Sequence, residues 1–139
     1  MRTVLITGVS TGIGKSIAIK LLENNFYVIG SVRKVEDAKE LEALFKDKFK
    51  SIILDVTDKD AIYNSVATVK EFLEQNKSYL CSVINNAGIA IGGPLRYLDI
   101  EIYKKQFDVN FFGLINITKA FLDLLIESNN YPLKNKIIN

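Results

Sequence analysis

The chain has 139 residues, of which 48% are hydrophobic and 24% are charged, as expected for one soluble globular domain spanning residues 1–139. Lys and Arg together number 18 against 16 Asp and Glu, and this net charge of +2 is too small to predict a nucleic-acid or membrane partner. The sequence has no His, the commonest general base and metal ligand, so we predict no metal site.

The single cysteine, Cys81, excludes an internal disulfide and favours a reducing compartment, so we predict a cytoplasmic location. Cys81 lies in an apolar run, and we interpret it as a core residue rather than a nucleophile. No segment is expected to be long and apolar enough to cross a membrane, and Gly8 comes too early for a signal peptide. No repeat, linker or low-complexity tract marks a domain boundary.

A short apolar run at residues 4–6 predicts a buried strand, which ends at glycines with the spacing G-x-x-x-G-x-G. The residues that then recur at helical spacing are Ile13, Ile17, Ala18, Leu21 and Leu22. A strand, a glycine turn and a helix aim the free N–H groups of the helix N-terminus at an anion, usually a phosphate. Gly8 and Gly12 would allow a tight turn close to a pyrophosphate, and Gly14 would let the helix pack onto the strand. The candidate nucleotide-binding residues here are Gly8, Ser10, Thr11, Gly12, Ile13 and Gly14.

Two classes of nucleotide site compete for this stretch, and a glycine turn that binds nothing is the third possibility. The usual dinucleotide fingerprint, G-x-G-x-x-G, is not matched. A P-loop, G-x-x-x-x-G-K-[ST], is missed by one inserted residue, although Gly14 is followed by Lys15 and Ser16. Asp55, after the apolar run at residues 51–54, has the position of the magnesium-binding acid of a P-loop NTPase. That class of protein therefore stays open as the less favoured alternative.

The middle of the chain alternates between strands and helices. Residues 27–32 predict the second strand, and residues 51–54 predict the third. Between them, residues 36–48 predict a charged helix whose buried stripe is Leu41, Leu44 and Phe45. Thr57 and Asp60 form a capping-box-like start for the next helix. Its apolar face is predicted to be Ile62, Val66, Val69 and Leu73.

The last part of the chain predicts another strand and a long helix. Residues 80–84 predict the fourth strand, which is closed by N-N-A-G at residues 85–88. Asp99 is expected to cap a helical region that runs to about Ser128. Residues 136–139 predict the beginning of a fifth strand.

Strands that alternate with helices predict a parallel sheet with right-handed crossovers and helices on both faces. The predicted fold class is therefore α/β, a Rossmann-like doubly wound parallel sheet with strands 1–4 and the start of strand 5. In such sheets the ligand binds beyond the carboxyl ends of the strands, at the switch point. Polar residues or glycine follow the predicted strands at Thr7, Gly8, Arg33, Asp55, Asn85 and Asn86. Their common position at one edge of the sheet indicates a site.

Four motifs in this order resemble those of the short-chain dehydrogenase/reductase family, and together they cover nearly the whole chain. They are T-G-x-x-x-G-I-G at residues 7–14, Asp55-Val56, N-N-A-G at residues 85–88, and Asn110. The family's activity is hydride transfer between a nicotinamide cofactor and a carbonyl or alcohol, so the resemblance implies a small-molecule substrate of that class.

The resemblance also implies a role for individual residues. Asp55, with Val56, matches the acid that contacts the adenine ring. Asn85, Ala87 and Gly88 match the residues that line the ribose and nicotinamide side. Asn110 matches the family's catalytic Asn, which bends the long helix and positions a water in the proton relay.

The end of the second strand discriminates between NAD and NADP. A dehydrogenase that prefers NAD places an acid there, which binds the adenosine ribose. Here Val32 is followed by Arg33 and Lys34, and a guanidinium can bind a 2′-phosphate bidentately where a carboxylate would repel it. We therefore predict NADP(H) rather than NAD(H) as the cofactor, with Arg33 as a cofactor-binding residue. Families with this preference often carry another basic residue just before the second glycine, where this chain has Thr11.

The family's chemistry also needs a Ser and a Tyr-x-x-x-Lys pair, in which the Lys lowers the pKa of the Tyr. None of the six Tyr has a Lys four residues later, and Tyr131, with Lys134 three residues on, is followed by Pro132. We therefore expect only the amino-terminal half of the family's domain, truncated at its C-terminal end, which binds cofactor without turning over substrate. A non-catalytic nucleotide-binding module is the alternative.

Apolar residues recur at helical spacing along the predicted long helix. They are Phe107, Phe111, Leu114, Thr118, Phe121 and Leu125, in which Thr118 is the polar exception. We interpret them as core or subunit contacts rather than as a cofactor-binding surface. In the family this helix helps to form the subunit interface, so the resemblance implies a homo-oligomer formed through the helix at residues 99–128.

Overall fold

The computed structural model describes residues 1–128 and 135–139, so the prediction for Tyr131, Pro132 and Lys134 lies outside the described residues. Its strands are β1 (Arg2–Ile6), β2 (Tyr27–Val32), β3 (Phe49–Ile53), β4 (Tyr79–Ile84) and β5 (Lys136–Ile138). Its helices are α1 (Gly12–Glu23), α2 (Lys39–Leu44), α3 (Lys59–Gln75), α4 (Ile100–Phe107) and α5 (Leu114–Glu127). A 3₁₀ turn, Val35–Ala38, precedes α2, and a π-helical turn, Asp108–Gly113, joins α4 to α5.

The strands form one parallel sheet with the order β3-β2-β1-β4-β5, so that β1 lies at the centre. Leu5 of β1 pairs with Ile29 of β2 on one side and with Val83 of β4 on the other. The chain builds outward from β1 to β3 and then returns to the other side of β1, which creates a switch point between β1 and β4. The predicted α/β doubly wound sheet is confirmed.

Successive residues of β1 and β2 point to opposite faces of the sheet and so supply two cores. The core on the face of α3 and α5 includes Leu5, Ile29, Ile62, Val69, Ile117 and Phe121. The core on the face of α1 and α2 includes Val4, Ile6, Ala18, Leu22, Val28 and Leu41. Cys81 is partly buried and packs against this second core, as its apolar surroundings in the sequence predicted, and burial raises the pKa of its thiol.

Two apolar side chains in predicted helices are exposed, of which Leu44 was predicted to be buried. Ile13, in the first turn of α1, is 75% exposed because this turn lies beyond the end of β1 and faces open space rather than the sheet. Leu44 is 64% exposed because α2 ends there instead of at residue 48. Phe45 has already left the helical conformation, with φ −129° and ψ 40°, so only Leu41 of the predicted stripe is fully buried.

The helix α3 begins at a different cap from the predicted one. Its N-cap is Asp58, whose carboxylate accepts a hydrogen bond of 2.9 Å from the Ala61 N–H. Thr57 does not cap the helix because its N–H and its hydroxyl both donate to Asp55. The predicted apolar face is otherwise correct: Ile62, Val69 and Leu73 are buried and Val66 packs against the same core.

The long helix begins as predicted, at Asp99, whose carboxylate accepts a 3.1 Å hydrogen bond from the Glu101 N–H. It continues through the π-helical turn to Glu127, close to the predicted end. Asn110 lies inside this turn, where the i→i+5 bonding widens the helix. The family resemblance implied a bend in the long helix at this residue.

Much of the apolar surface of the long helix is exposed. The exposed side chains are Ile100, Phe107, Phe111, Phe112, Ile115, Leu122 and Ile126. The region Ile100–Glu127 contains an 18-residue window with a mean hydropathy of 1.5 and is long and apolar enough to cross a membrane, which corrects the expectation that no segment is. Length and composition alone are weak grounds for a membrane span. Because only 22% of the most apolar window is buried within the described chain, this surface has room for a partner.

Candidate nucleotide-binding site

A cleft of about 880 Å³ opens at the carboxyl ends of the strands, near the switch point between β1 and β4. The predicted site residues that line it are Gly8, Ser10, Thr11, Ile13, Gly14, Arg33, Asp55, Val56, Ala87 and Gly88. Gly12, Asn85 and Asn110 are not among its lining residues. The volume lies in the range of small-molecule and cofactor sites.

The loop between β1 and α1 depends on glycine for two physical reasons. Gly8 has a φ of 72° and Gly12 a φ of 61°, in the left-handed region that other residues rarely adopt. Gly14 is needed because a Cβ there would lie 2.2 Å from the Gly8 carbonyl oxygen and 2.3 Å from the Asn86 side-chain nitrogen. Any side chain at residue 14 would therefore keep α1 farther from the backbone of the loop.

The N-terminus of α1 borders the cleft through Ile13 and Gly14. Thr11 is the N-cap, but its side chain makes no capping hydrogen bond, and the first turn contains no acidic residue. The first N–H groups of a helix have no intrahelical acceptor, and the helix dipole favours negative charge beside them. A phosphate group fits these properties.

Asn86 connects this loop to the end of β4. Its side-chain nitrogen donates to the carbonyl oxygens of Thr7, at 3.0 Å, and Gly8, at 2.9 Å. The buried hydroxyl of Thr7 in turn accepts hydrogen bonds from the N–H groups of Asn86, at 3.0 Å, and Ala87, at 2.9 Å. These bonds fix the two strand ends that flank the cleft, and Asn86 itself lines it.

Ser31 also lines the cleft, although it was not predicted from the sequence. Its hydroxyl and its carbonyl oxygen both accept from the Gly8 N–H, at 3.0 and 3.1 Å, and the carbonyl also accepts from the Val9 N–H at 3.0 Å. Ser31 is 2% exposed and lies at the wall of the cleft. A small polar residue inside the apolar second strand was the available indication, because buried hydroxyls in strands need partners.

Positive charge lies at the ends of β2 and α4 that face the cleft. Val32 is buried, so Arg33 is the first side chain after β2 that can meet a ligand, and Arg33 is exposed at the cleft wall. Lys105 of α4 lines the same cleft, whereas Lys34 does not. The described residues therefore place cations, and no acid, directly after β2.

Asp55 lines the cleft and also shapes the turn before α3. Its Oδ1 accepts hydrogen bonds from the hydroxyl of Thr57, at 2.7 Å, and from the Thr57 N–H, at 2.9 Å. These two bonds hold the pKa of Asp55 below its ordinary value, and the charges of Arg33 and Lys105 lower it further against the opposing effect of partial burial. Asp55 is therefore an ionised acceptor at neutral pH, and it also holds the turn before α3 through its bonds with Thr57.

The side chain of Asn85 bonds to other parts of the chain, and Asn85 is not among the residues that line the cleft. Its side-chain nitrogen donates to the hydroxyl of Thr118 on α5, at 3.0 Å, and to the side-chain oxygen of Asn139, at 2.8 Å. Neighbouring side chains at a strand end project to opposite sides, so the side chain of Asn86 meets the glycine loop and that of Asn85 meets α5. In this chain the second Asn of the motif lines the cleft.

Asn110 lies outside the cleft but is bonded to one of its walls. Its side-chain nitrogen donates to the carbonyl oxygen of Ile89, and its side-chain oxygen accepts from the Ile89 N–H, both at 2.8 Å. Ile89 lines the cleft. Asn110 therefore fixes the backbone that follows Gly88, where a Cβ would approach the Asn110 oxygen to 3.2 Å.

The P-loop alternative requires Lys15 to reach a bound phosphate. The Lys15 ammonium instead bonds to the carboxylate of Glu40 on α2 at 2.6 Å, and Lys15 is not among the residues that line the cleft. The hydroxyl of Ser16, which would hold magnesium, donates to the Gly12 carbonyl at 3.1 Å. This geometry favours a dinucleotide site over a P-loop.

Comparison with known proteins decides the family. Residues 2–135 match the sequence model of the family described as short chain dehydrogenase. The chain belongs to this family. The assignment agrees with the order of motifs from the glycine loop to Asn110, and the predicted resemblance is confirmed.

Several relatives of this short-chain dehydrogenase chain are named for NADPH. The NADPH-dependent 3-dehydrocapnine reductase of Ornithobacterium rhinotracheale is 38% identical over 138 residues, which cover 99% of this chain and 48% of that protein. The NADPH-dependent 1-acyldihydroxyacetone phosphate reductase of Schizosaccharomyces pombe is 40% identical over 126 residues, which cover 90% and 40% of the two chains.

Solved structures share the same fold. The NADPH-bound carbonyl reductase from chicken fatty liver has a TM-score of 0.89 at 29% identity, and the match covers 100% of this chain and 56% of that one. A closed form of serine dehydrogenase complexed with NADP+ has a TM-score of 0.81 at 26% identity, with coverage of 96% and 57%. The short-chain dehydrogenase chain thus spans about half the length of the proteins it matches. The predicted preference for NADP(H) agrees with the cofactor named for these four proteins.

Proposed function

We propose that this chain is the cofactor-binding half of an NADP(H)-dependent oxidoreductase, which transfers hydride between the nicotinamide and a small-molecule carbonyl or alcohol. The observation that carries the proposal is the glycine loop. Its left-handed Gly8 and Gly12, the tight approach at Gly14 and the uncapped N-terminus of α1 together fit a pyrophosphate.

The proposed cofactor contacts follow the walls of the cleft. Those that line it are Gly8, Ser10, Thr11, Ile13, Gly14, Arg33, Asp55, Val56, Asn86, Ala87 and Gly88, and Gly12 and Asn85 are proposed beside them. Asp55 and Val56, after β3, are proposed to meet the adenine ring, and the ionised Asp55 carboxylate is a suitable acceptor for an exocyclic amino group.

The proposed selectivity for NADP(H) over NAD(H) rests on Arg33. It is exposed at the cleft wall, directly after the buried end of β2, where a 2′-phosphate of the bound nucleotide would lie. A guanidinium can bind that group bidentately, and Lys105 adds positive charge to the same cleft. The NADPH-dependent relatives support this assignment.

The bound nicotinamide would supply or accept the hydride, and the described residues bind and orient it. Proton transfer to the substrate oxygen needs other groups, because the 139 residues contain no Tyr-x-x-x-Lys. We therefore propose that these residues alone bind NADP(H) without turning over substrate, and that turnover requires further residues. We propose that Asn110 takes the role of the family's catalytic Asn, and its two hydrogen bonds to Ile89, which lines the cleft, support this proposal. The cytoplasmic location stays a prediction from the single cysteine.

A homo-oligomer formed through the helix at residues 99–128 is part of the proposal. Its exposed apolar side chains form a surface too apolar to be favourable in water, and burial against a second copy would remove that cost. Three Phe lie together on it, with ring centroids 6.3 Å apart for Phe107 and Phe111 and 5.3 Å apart for Phe111 and Phe112.

Titration with NADPH, followed by the enhancement of its fluorescence, tests the proposed function. We expect saturable binding, with NADH at least about tenfold weaker because it lacks the 2′-phosphate. Absence of NADPH binding at millimolar concentration would refute the proposal. Protection against unfolding by magnesium-ATP, with none from NADPH, would instead favour the P-loop class.

A further inference from the structure

Two amide side chains of the long helix, one turn apart, bind the backbone of the loop after β4 in the same manner. The side-chain nitrogen of Gln106 donates to the Ile91 carbonyl at 3.1 Å, and its oxygen accepts from the Ile91 N–H at 2.9 Å. Asn110 makes the matching pair of bonds with Ile89, both at 2.8 Å. We call these four residues the amide ladder.

The spacing of the amide ladder follows from elementary geometry. Gln106 and Asn110 are four residues apart on one helix face, a rise of about 6 Å. Ile89 and Ile91 are two residues apart in an extended segment, which spans a similar length of about 6–7 Å. Because the rise of four helical residues matches the length of two extended residues, each side-chain amide faces one peptide N–H and one peptide carbonyl. A neighbouring β-strand would present the same pair of partners.

Little else within the described residues holds this part of the cleft. Residues 85–94 form no helix or strand, and no residue of α4 is fully buried, so packing of α4 against the loop is limited. Residues 88–91 nevertheless line the cleft. The conformation of residues 88–91 therefore depends on the amide ladder. Gln106 supplies the two hydrogen bonds of the ladder that lie farther from the sheet.

The strand order assigns the wall to one half of a dinucleotide. Arg33 and Asp55 follow β2 and β3 on one side of the glycine loop, and residues 88–91 follow β4 on the other. A nucleotide whose pyrophosphate lies at the loop, and whose 2′-phosphate meets Arg33, must extend its nicotinamide half toward residues 88–91. The adenosine half would not reach them.

We propose that Gln106 is a positioning residue for the nicotinamide half of the cofactor. This inference rests on the proposed function. Gln106 touches no ligand itself; it keeps Ile91 and its neighbours in the conformation that receives the nicotinamide riboside. Without Gln106, fewer molecules hold the loop in the conformation that binds the cofactor. The apparent affinity for the whole cofactor then falls in proportion to that fraction of molecules.

The experiment compares a whole cofactor with its adenosine half. Binding of NADPH and of adenosine 2′,5′-bisphosphate is measured for the wild type, Gln106→Leu and Gln106→Glu. Gln106→Leu is expected to weaken NADPH roughly three- to tenfold, as the loss of two exposed hydrogen bonds predicts, and to leave the bisphosphate unchanged. Gln106→Glu keeps the acceptor for the Ile91 N–H and loses the donor, so its effect on NADPH should be intermediate.

Gln75→Leu is the matched control, because Gln75 lies at the exposed end of α3 and bonds only to Glu71 among the described residues. It should change neither affinity. Hydrogen exchange should be faster at the Ile91 N–H in Gln106→Leu, with the Gly8 N–H unaffected.

Three results would overturn the inference while leaving the proposed function intact. In the first, Gln106→Leu binds NADPH as tightly as the wild type does. In the second, Gln106→Leu loses affinity for NADPH and for the bisphosphate equally. In the third, Gln106→Leu binds NADPH more weakly but hydrogen exchange at the Ile91 N–H is not faster. A wild-type chain that binds neither ligand would instead refute the proposed function, and the inference would fall with it.

Discussion

The side-chain nitrogen of Asn86 lies 2.9 Å from the carbonyl oxygen of Gly8, across the gap between β4 and the loop after β1. The same nitrogen donates to the Thr7 carbonyl at 3.0 Å. Asn86→Leu keeps the number and branching of the side-chain heavy atoms and removes both donors, and we expect the free energy of unfolding to fall by about 1–3 kcal/mol because two partly buried carbonyls lose their partners. Urea denaturation measures the loss. Asn64→Leu, at an exposed position of α3, should stay within about 0.5 kcal/mol, and equal losses in the two variants would contradict the assigned role.

Gly14→Ala tests the close approach of α1 to the loop. The added Cβ would meet the Gly8 carbonyl oxygen at 2.2 Å, and backbone atoms cannot move aside as a flexible side chain can. We expect destabilisation of about 1–3 kcal/mol and loss of NADPH binding, measured by thermal unfolding and fluorescence titration. Gly92→Ala is the control, since a Cβ there meets nothing within 4 Å. If Gly14→Ala bound NADPH with wild-type affinity, the loop would have space for a Cβ at residue 14, and the predicted clash would be wrong.

Arg33→Ala should reduce the preference for NADPH over NADH. Arg33 lines the cleft, and a charge-assisted bond to a phosphate contributes about 1.5–3 kcal/mol, which corresponds to a roughly 10- to 100-fold loss of NADPH affinity with NADH little changed. Lys34→Ala removes a neighbouring positive charge outside the cleft lining and should have a much smaller effect. If both variants lose NADPH affinity equally, the selectivity comes from general charge rather than from Arg33.

The carboxylate of Asp55 makes stability depend on pH in a defined direction. Its bonds from Thr57 lower its pKa in the folded state, so the ionised carboxylate stabilises the fold above the ordinary pKa of about 3.9. That contribution is lost as the pH falls through the lowered folded value. Thr57→Val should therefore be less stable than the wild type at pH about 7, and the difference should shrink near pH about 2.5. Urea midpoints at several pH values measure it.

Thr68→Val, at an exposed position of α3, provides the reference for this pH series. Its difference from the wild type should stay constant with pH because no carboxylate depends on its hydroxyl. A Thr57→Val difference that is equally constant would mean that the hydroxyl does not stabilise the charged form of Asp55.

Phe111→Glu should weaken self-association. Phe111 is 50% exposed and lies between two other aromatic rings on the apolar face of the long helix. A central aromatic residue in an interface commonly contributes about 2 kcal/mol or more, so the dissociation constant of the oligomer should rise by roughly 30-fold or more. Sedimentation analysis over a range of concentrations measures it. Tyr63→Glu, on α3 and 54% exposed, should leave the association unchanged. A wild-type chain that stays monomeric throughout would contradict the proposed oligomer.

The fold could be predicted from the sequence because the local patterns are strong. The predicted and observed bounds of β2 coincide at residues 27–32, since an apolar run between a polar turn and Arg33 leaves little choice of strand. The glycine loop and the Asp99 cap were likewise identified from residue type and order. Each of these features depends on neighbours in the sequence.

The direction in which an individual side chain points was harder to predict. Asn85 and Asn86 are the same residue type, and only the path of the backbone after β4 decides which of them meets the glycine loop. Gln106 has no distinctive pattern around it, because its partner Ile91 is fifteen residues away and is bonded through the backbone. Leu44 shows the same limit, since its exposure follows from where α2 ends.

The central position of β1 also determines when the nucleotide site can form during synthesis. Arg2 pairs with Tyr79, and Ile6 pairs with Ile84, so β1 has only one of its two neighbouring strands until the chain through residue 84 has left the ribosome. Such long-range pairing makes folding slow, because a long loop must close before the contact forms. Until then, one edge of β1 has no partner strand, and the glycine loop lacks the Asn86 amide that fixes it. A nascent chain will therefore acquire its nucleotide site only when β4 joins β1 in the sheet.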